Sequence, residues 1–221
     1  MLAYAYSAQE RWADLVPITD ELMKAYPTSL RAFDLATLAY AGLKRFDDWE
    51  KVVQSRRAEH SDELAYVRSA ARVASYRGQY AQAREIIKTI IDKGQANGED
   101  LNLYAWYALE LPTAIDQEAI DTGIRATDLS KNSFAIQHTL GCIYAQAGKT
   151  KQARELLLKA MDDGHLEQPN SAIWLGFGLI AEQYGVIEAA RKMFVRVEKA
   201  PIEYPASSYA LAQAHLAKLK S

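Results

Sequence analysis

The sequence predicts an all-α chain of stacked helical hairpins, and three observations carry that prediction. A segment repeats: "GQYAQAREIIKTII" (78–91) aligns with "GKTKQARELLLKAM" (148–161), and "GVIEAARKMFVRVE" (185–198) supplies a third copy. One slot of that segment then recurs along the whole chain. Leu15, Trp49, Ala83, Ala119, Ala153 and Ala190 are separated by 34, 34, 36, 34 and 37 residues, the length of a two-helix unit. Finally, apolar residues fall at helical spacing, as in Leu140, Ile143, Tyr144 and again Ala153, Leu156, Leu157, Ala160, while alternating strand patterns and Asn-Gly turns are absent.

The elements follow in order. The stretch 2–9 reads as helix with neither an N-cap nor a secretion signal before it, the pattern of an excerpt from a longer protein. Helices over 12–25, 29–42 and 46–58 come next, and Asp47 and Asp48 sit in the first turn of the last, where carboxylates favour the helix dipole. Helices over 62–77 and 80–93 flank "YRGQ"; helices over 132–147 and 150–162 flank "AGKT". In each of these turns a glycine suits the left-handed conformation that ends a helix. Between them lie 99–110 and 114–128, joined by a turn that holds Pro112. Helices over 170–184 and 186–199 make the last hairpin. The closing stretch, "PASSYALAQAHLAKLK", predicts a capping helix over 206–219. Its Tyr209, Leu211, Ala212 and Leu216 would cover the preceding hairpin, with Lys218 and Lys220 at the C-terminal end.

Composition excludes several classes. A net charge of −2, with no block of like charges, argues against a general nucleic-acid grip. No apolar run reaches the roughly 18 residues that a membrane crossing needs. Cys142 is the single cysteine, so no internal disulfide or cysteine zinc knuckle can form. That usage suits a reducing, cytoplasmic setting. HExxH, GxSxG and the glycine-rich phosphate loops are all missing, so neither catalysis nor a cofactor or metal is expected.

At this point the chain resembles the tetratricopeptide repeat family, whose 34-residue helix–turn–helix unit carries a W-x2-L-G-x2-Y…A-x3-F…A…P pattern. The fifth unit matches at Leu140, Gly141, Tyr144, Ala153, Leu157 and Ala160; the sixth matches at Trp174, Phe177, Gly178, Ala190 and Phe194. Pro27 stands where the family proline closes the first unit. The resemblance implies a right-handed superhelical α-solenoid with a concave groove lined by the first helix of each unit. It implies one repeat domain over 1–221, with units near 1–29, 30–63, 64–99, 100–133, 134–170 and 171–204 and a capping helix over 205–221. Small residues at Gly141, Ala153 and Ala160 let the paired helices approach to about 8–10 Å. Departures stand out as well. Trp49 replaces the small residue of the second unit, Glu110 the tyrosine of the fourth, and Gly123 its large apolar residue. Trp49 has the volume to push its hairpin apart.

The family register also nominates groove residues. It points Arg31, Asp34, Arg68, Arg72, Tyr76, Tyr104 and His138 into the concave side. In the family, basic residues at such places hold the terminal carboxylate of a peptide, and two guanidiniums one turn apart suit that task. Here Arg72 occupies the place of the Asn that completes the family's carboxylate clamp. The alternative for Arg68 and Arg72 is an intramolecular ion-pair face with Asp34 and Glu63. His138 and Cys142 lie four residues apart on one helix face, the spacing of a thiolate–imidazole or metal pair, though groove lining is the plainer reading. The expected function is a non-enzymatic scaffold that binds a protein or peptide, including an acidic segment, with no nucleic acid and no membrane insertion. Exposed terminal helices leave a homodimer open. The alternative is a sensory or regulatory repeat region of a larger protein, and a solenoid enzyme using His138 and Cys142 is a remote third.

Overall fold

The computed structural model describes residues 2–131, 133–199 and 204–219, with side chains from residue 5 onward. Among these residues there are thirteen α-helices and no strand, and each predicted helix is present. They group into two compact units, divided between Arg77 and Gly78, in the turn of the third predicted hairpin. Lys220 lies outside the described residues.

Unit 1 holds α1 (Leu2–Ala8), α2 (Trp12–Ala25), α3 (Leu30–Gly42), α4 (Phe46–Glu59) and α5 (Leu64–Tyr76). The slot residues Leu15 and Trp49 are both fully buried. Gly42 is small for a direct reason: a Cβ there would come within 2.5 Å of the Trp12 ring. Trp49 fills its slot with an indole that crosses to α5 and donates from Nε1 to Ser69 Oγ at 2.8 Å. The polar edge of the ring is thereby satisfied inside the core. The α3–α4 turn also departs from its later counterparts. Lys44 takes the left-handed conformation (φ 56°) that Gly148 takes at the α9–α10 turn (φ 73°). The bonding is the same in both: Arg45 N donates to Tyr40 O at 2.8 Å, as Lys149 N donates to Tyr144 O at 2.8 Å.

Unit 2 holds α6 (Tyr80–Asp92), α7 (Gly98–Ala108), α8 (Gln117–Leu129), α9 (Phe134–Gln146), α10 (Thr150–Asp163), α11 (Ser171–Gln183), α12 (Ile187–Phe194) and α13 (Ser208–Lys218). Ala83, Ala119, Ala153 and Ala190 have no exposed surface, so the recurring slot is the seam of helix packing. Leu157 shows why the neighbours are glycine. A Cβ on Gly141 would stand 2.8 Å from its side chain, and one on Gly176 would stand 2.6 Å away. One leucine is thus wedged between two successive first helices. Gly178 makes the same room for Phe194, at 2.5 Å.

Two helix ends differ from the sequence reading by three residues or more. α8 begins at Gln117 rather than 114, because Asp116 caps it, accepting from Ala119 N at 2.6 Å and taking the Arg84 guanidinium at 2.9 and 3.2 Å. α12 ends at Phe194 rather than 199. The residues after it dock on α11 instead: Val197 is buried, Glu198 N donates to Ser171 Oγ at 3.0 Å, and Arg196 lies over the Trp174 ring at 4.4 Å. α13 packs on α11 and α12 as the capping helix should, burying Leu211, Ala212 and Leu216.

Candidate functional site

The first helices of successive hairpins pack side by side within each unit, α3 on α1 and α5 in unit 1 and α9 on α7 and α11 in unit 2. Arg31, Asp34 and Leu38 recur at helical spacing along α3 and are all exposed; Arg72 is exposed on α5, with Arg68 half-buried one turn before it. Arg72 lies 5.8 Å from the Trp49 ring centroid, which positions its guanidinium at the edge of the core. Desolvation pushes the Asp34 carboxyl up and the Arg72 charge pulls it back, so the two side chains sense each other. Arg31 and Arg68 have contacts of their own. These four residues, three cations and one anion, lie with an apolar fifth, Leu38, which is 39% exposed.

The aromatic members of the expected groove pack against neighbouring side chains. Tyr76 is half-buried and packs edge-on to Phe46 at 5.9 Å and Trp49 at 5.3 Å. Tyr104 is 3% exposed. Its hydroxyl donates to Glu118 Oε2 at 2.7 Å and the Arg84 guanidinium covers its ring at 4.3 Å. Lys88 pairs with the other Glu118 oxygen, which closes a cluster of four side chains. His138 is 5% exposed, stacked on Phe134 and set 5.5 Å from the Trp106 ring. Register alone nominates these residues, but in unit 2 Tyr104 and His138 are buried.

His138 and Cys142 do meet, with Sγ and Nε2 3.3 Å apart. Burial pushes the thiol up and pushes the imidazole down to about 4, against a weaker backbone hydrogen bond with Ala172. Both shifts favour the neutral forms, opposite to what a thiolate–imidazolium pair requires. Among the described residues no group of three or more His, Cys, Asp or Glu side chains is arranged to hold a metal, and no helix is long and apolar enough to cross a membrane.

Sequence reasoning missed one set of residues. His215 of α13 has Nδ1 2.6 Å from Glu182 of α11 and Nε2 3.1 Å from the Gln146 amide of α9. A proton on Nδ1 satisfies both, donating to the carboxylate while Nε2 accepts from the amide. Trp106 Nε1 donates to Ala206 O at 2.8 Å, across a hundred residues of chain. Glu110, just past α7, has an Oε1 with no hydrogen-bond partner among the described residues. Burial pushes its carboxyl up to about 7, and Lys218 of α13 pulls in the other direction. Its place in the family's tyrosine position was the one visible signal.

These features define a helical-hairpin repeat protein whose α3 and α5 carry exposed charged side chains. The particular fold is that of the tetratricopeptide repeat, as comparison with solved structures shows. The crystal structure of the APC/C hetero-tetramer Cut9–Hcn1 superposes with a TM-score of 0.69 at 12% identity, covering 99% of this chain and 41% of that one. The chain therefore spans less than half the length of that relative. A tetratricopeptide repeat protein from Parabacteroides merdae ATCC 43184 gives 0.63 at 9% identity over 99% and 96% of the two chains. YrrB, described as a TPR protein with an unusual peptide-binding site, gives 0.58 at 12% identity over 90% and 97%. No protein-family profile and no curated protein matches the sequence.

Proposed function

We propose that the chain is a non-enzymatic protein-interaction scaffold whose recognition face is the inner side of α3 and α5. One observation carries this reading: Asp34 and Arg72 are exposed and Arg68 half-buried at first-helix positions whose counterparts in unit 2, Tyr104, Ala108, His138, Cys142, Leu175 and Leu179, are all buried, and Arg31 is exposed beside them. The partner that fits is a protein or peptide segment bearing carboxylates. Guanidiniums one turn apart bind carboxylates through paired hydrogen bonds, and Leu38 offers an apolar contact beside them. Asp34 sets the selectivity, since an incoming acid must compete with it for Arg72. Two of the structural neighbours, one a hetero-tetramer and one with a peptide-binding site, agree with an interaction role. With a net charge of −2 the chain has no surplus of cations for a phosphate backbone, so the proposed partner is a protein.

The test is a displayed random-peptide library selected against the full chain and against Arg68→Glu/Arg72→Glu. The expected result is enrichment of acidic segments by the wild type and at least a tenfold weaker binding of those segments by the folded variant. Enrichment without acidic residues, or equal binding by both proteins, refutes the assignment of this face. A second reading, a regulatory repeat region acting through intramolecular contacts, is favoured by the docking of α13 across unit 2.

A further inference from the structure

We infer that the inner side of unit 2 is a helix-acceptor surface and that α13 is its resident occupant, an intramolecular ligand rather than one more element of the stack. This concerns a different face from the one on α3 and α5, so failure of peptide recognition there leaves it standing.

The argument begins with reach. In a solenoid each repeat touches only its neighbours, so a helix that merely continues the stack contacts the hairpin before it. α13 does pack on α11 and α12, but its segment also reaches two hairpins further back. His215 meets Glu182 on α11 and Gln146 on α9, while the carbonyl of Ala206 accepts from Trp106 on α7. Lys218 lies toward Glu110 beyond the end of α7. One short segment thus crosses the inner side of three successive first helices. The inner positions of α11 are sealed accordingly, with Leu175 and Leu179 at 0% and 1% exposure.

The chemistry of the contact is that of a recognition interface. Three apolar residues, Leu211, Ala212 and Leu216, supply the buried stripe. Around them the bonds are polar and directional: His215 on Glu182, Arg191 donating to Leu219 O at 3.0 Å, and the indole on Ala206 O. Glu110 keeps one carboxylate oxygen unsatisfied beneath the helix end. The surface therefore takes an amphipathic helix with apolar residues at three positions and basic residues four and seven places after the first. α13 has that pattern, and the occupant of matching chemistry in trans is α13 of a second copy.

The experiment uses the full chain. Native-state hydrogen exchange should show the amides of 209–218 exchanging at least tenfold faster than those of α9 and α11, by opening of α13 alone. A fluorescent synthetic peptide of residues 204–219 should bind Leu211→Asp/Leu216→Asp, whose own helix is disengaged, at least tenfold more tightly than it binds the wild type, where the resident helix competes. Adding Glu182→Gln to that variant should weaken the peptide several-fold. Equal protection of α13, α9 and α11 overturns the inference. So does a double variant that stays folded yet ignores the peptide, and so does one that loses its helical fold, because α13 would then belong to the core.

Discussion

Replacing Glu110 by Gln is expected to stabilise unit 2 in a pH-dependent way, and the structure gives the size of the effect. The carboxyl is held at about 7 in the folded chain, against 4.5 when solvated, with burial as the leading cause. Below about pH 4.5 it is protonated in both states and the wild type carries no penalty. As pH rises through the interval up to about 7, the unfolded chain ionises freely while the folded chain resists. A raised folded-state value therefore lowers stability with rising pH. At about 1.4 kcal/mol for each tenfold change in the ionisation equilibrium, the full cost is about 3 kcal/mol, or 2–3 kcal/mol once residual solvent contact is allowed for. Gln keeps the shape and cannot ionise. Glu110→Gln should thus gain about 2–3 kcal/mol over the wild type at pH 8 and less than about 1 kcal/mol at pH 5. Urea unfolding followed by circular dichroism at the two pH values measures this, with proteolysis of partly unfolded chains assigning the change to unit 2. An equal gain at both pH values would mean that packing, not charge, is responsible. A loss at pH 8 would mean that Lys218 makes the buried carboxylate favourable, and the reasoning would be wrong.

Four further substitutions follow from the packing. Gly141→Ala should cost about 1–3 kcal/mol, because its Cβ meets a Leu157 already wedged against Gly176. Gly123→Ala should instead gain up to about 1 kcal/mol from helix propensity. Its Cβ has one close contact, a terminal methyl of Leu140 at 3.0 Å, beside a cleft of about 350 Å³ into which that side chain can shift. Thermal unfolding of the pair should therefore move in opposite directions. Lys44→Gly should raise stability by about 0.5–1 kcal/mol, since it relieves a left-handed non-glycine residue in an exposed turn; an unchanged urea midpoint would speak against strain at that site. Trp49→Ala restores the small residue that other hairpins carry in this slot, yet should cost about 3–5 kcal/mol by leaving a cavity and an unpaired Ser69 hydroxyl, which unfolding of unit 1 would report.

The fold was legible because a repeat writes its packing many times. Each small slot residue is buried against the helix beside it in sequence, so spacing alone located Ala83, Ala119, Ala153 and Ala190. Turn chemistry was equally local: Gly78 and Gly148 both adopt the left-handed conformation that their place after a helix suggested. Exposure of Arg31 and Asp34 on α3 and of Arg72 on α5 agrees with the positions that the family register gives them, and the proposed recognition face rests on that register. Helix ends were less legible. The start of α8 depends on Arg84 reaching Asp116 from another hairpin, which no local pattern encodes.

The inner face of unit 2 marks the boundary between those two kinds of information. Family register assigns the same orientation to Arg68 and to His138, and the backbone respects it. Whether such a position meets solvent depends on what else the chain lays against it. For His138 that means two aromatic rings, Phe134 and Trp106; for Glu182 it means His215, which lies 33 residues on. Trp106 is tied to Ala206, 100 residues away. Nearest-neighbour stacking therefore explains the hairpins but not the covering of the groove. Buried polar atoms do reveal it: Glu110, anomalous in the repeat pattern, marks the end of the surface on which α13 lies. A polar residue in a large-apolar slot of a helical repeat is thus a signal for a contact from outside the stack. Here that signal predicts that whatever holds or releases α13 also changes the ionisation of Glu110, so the two should be titrated together.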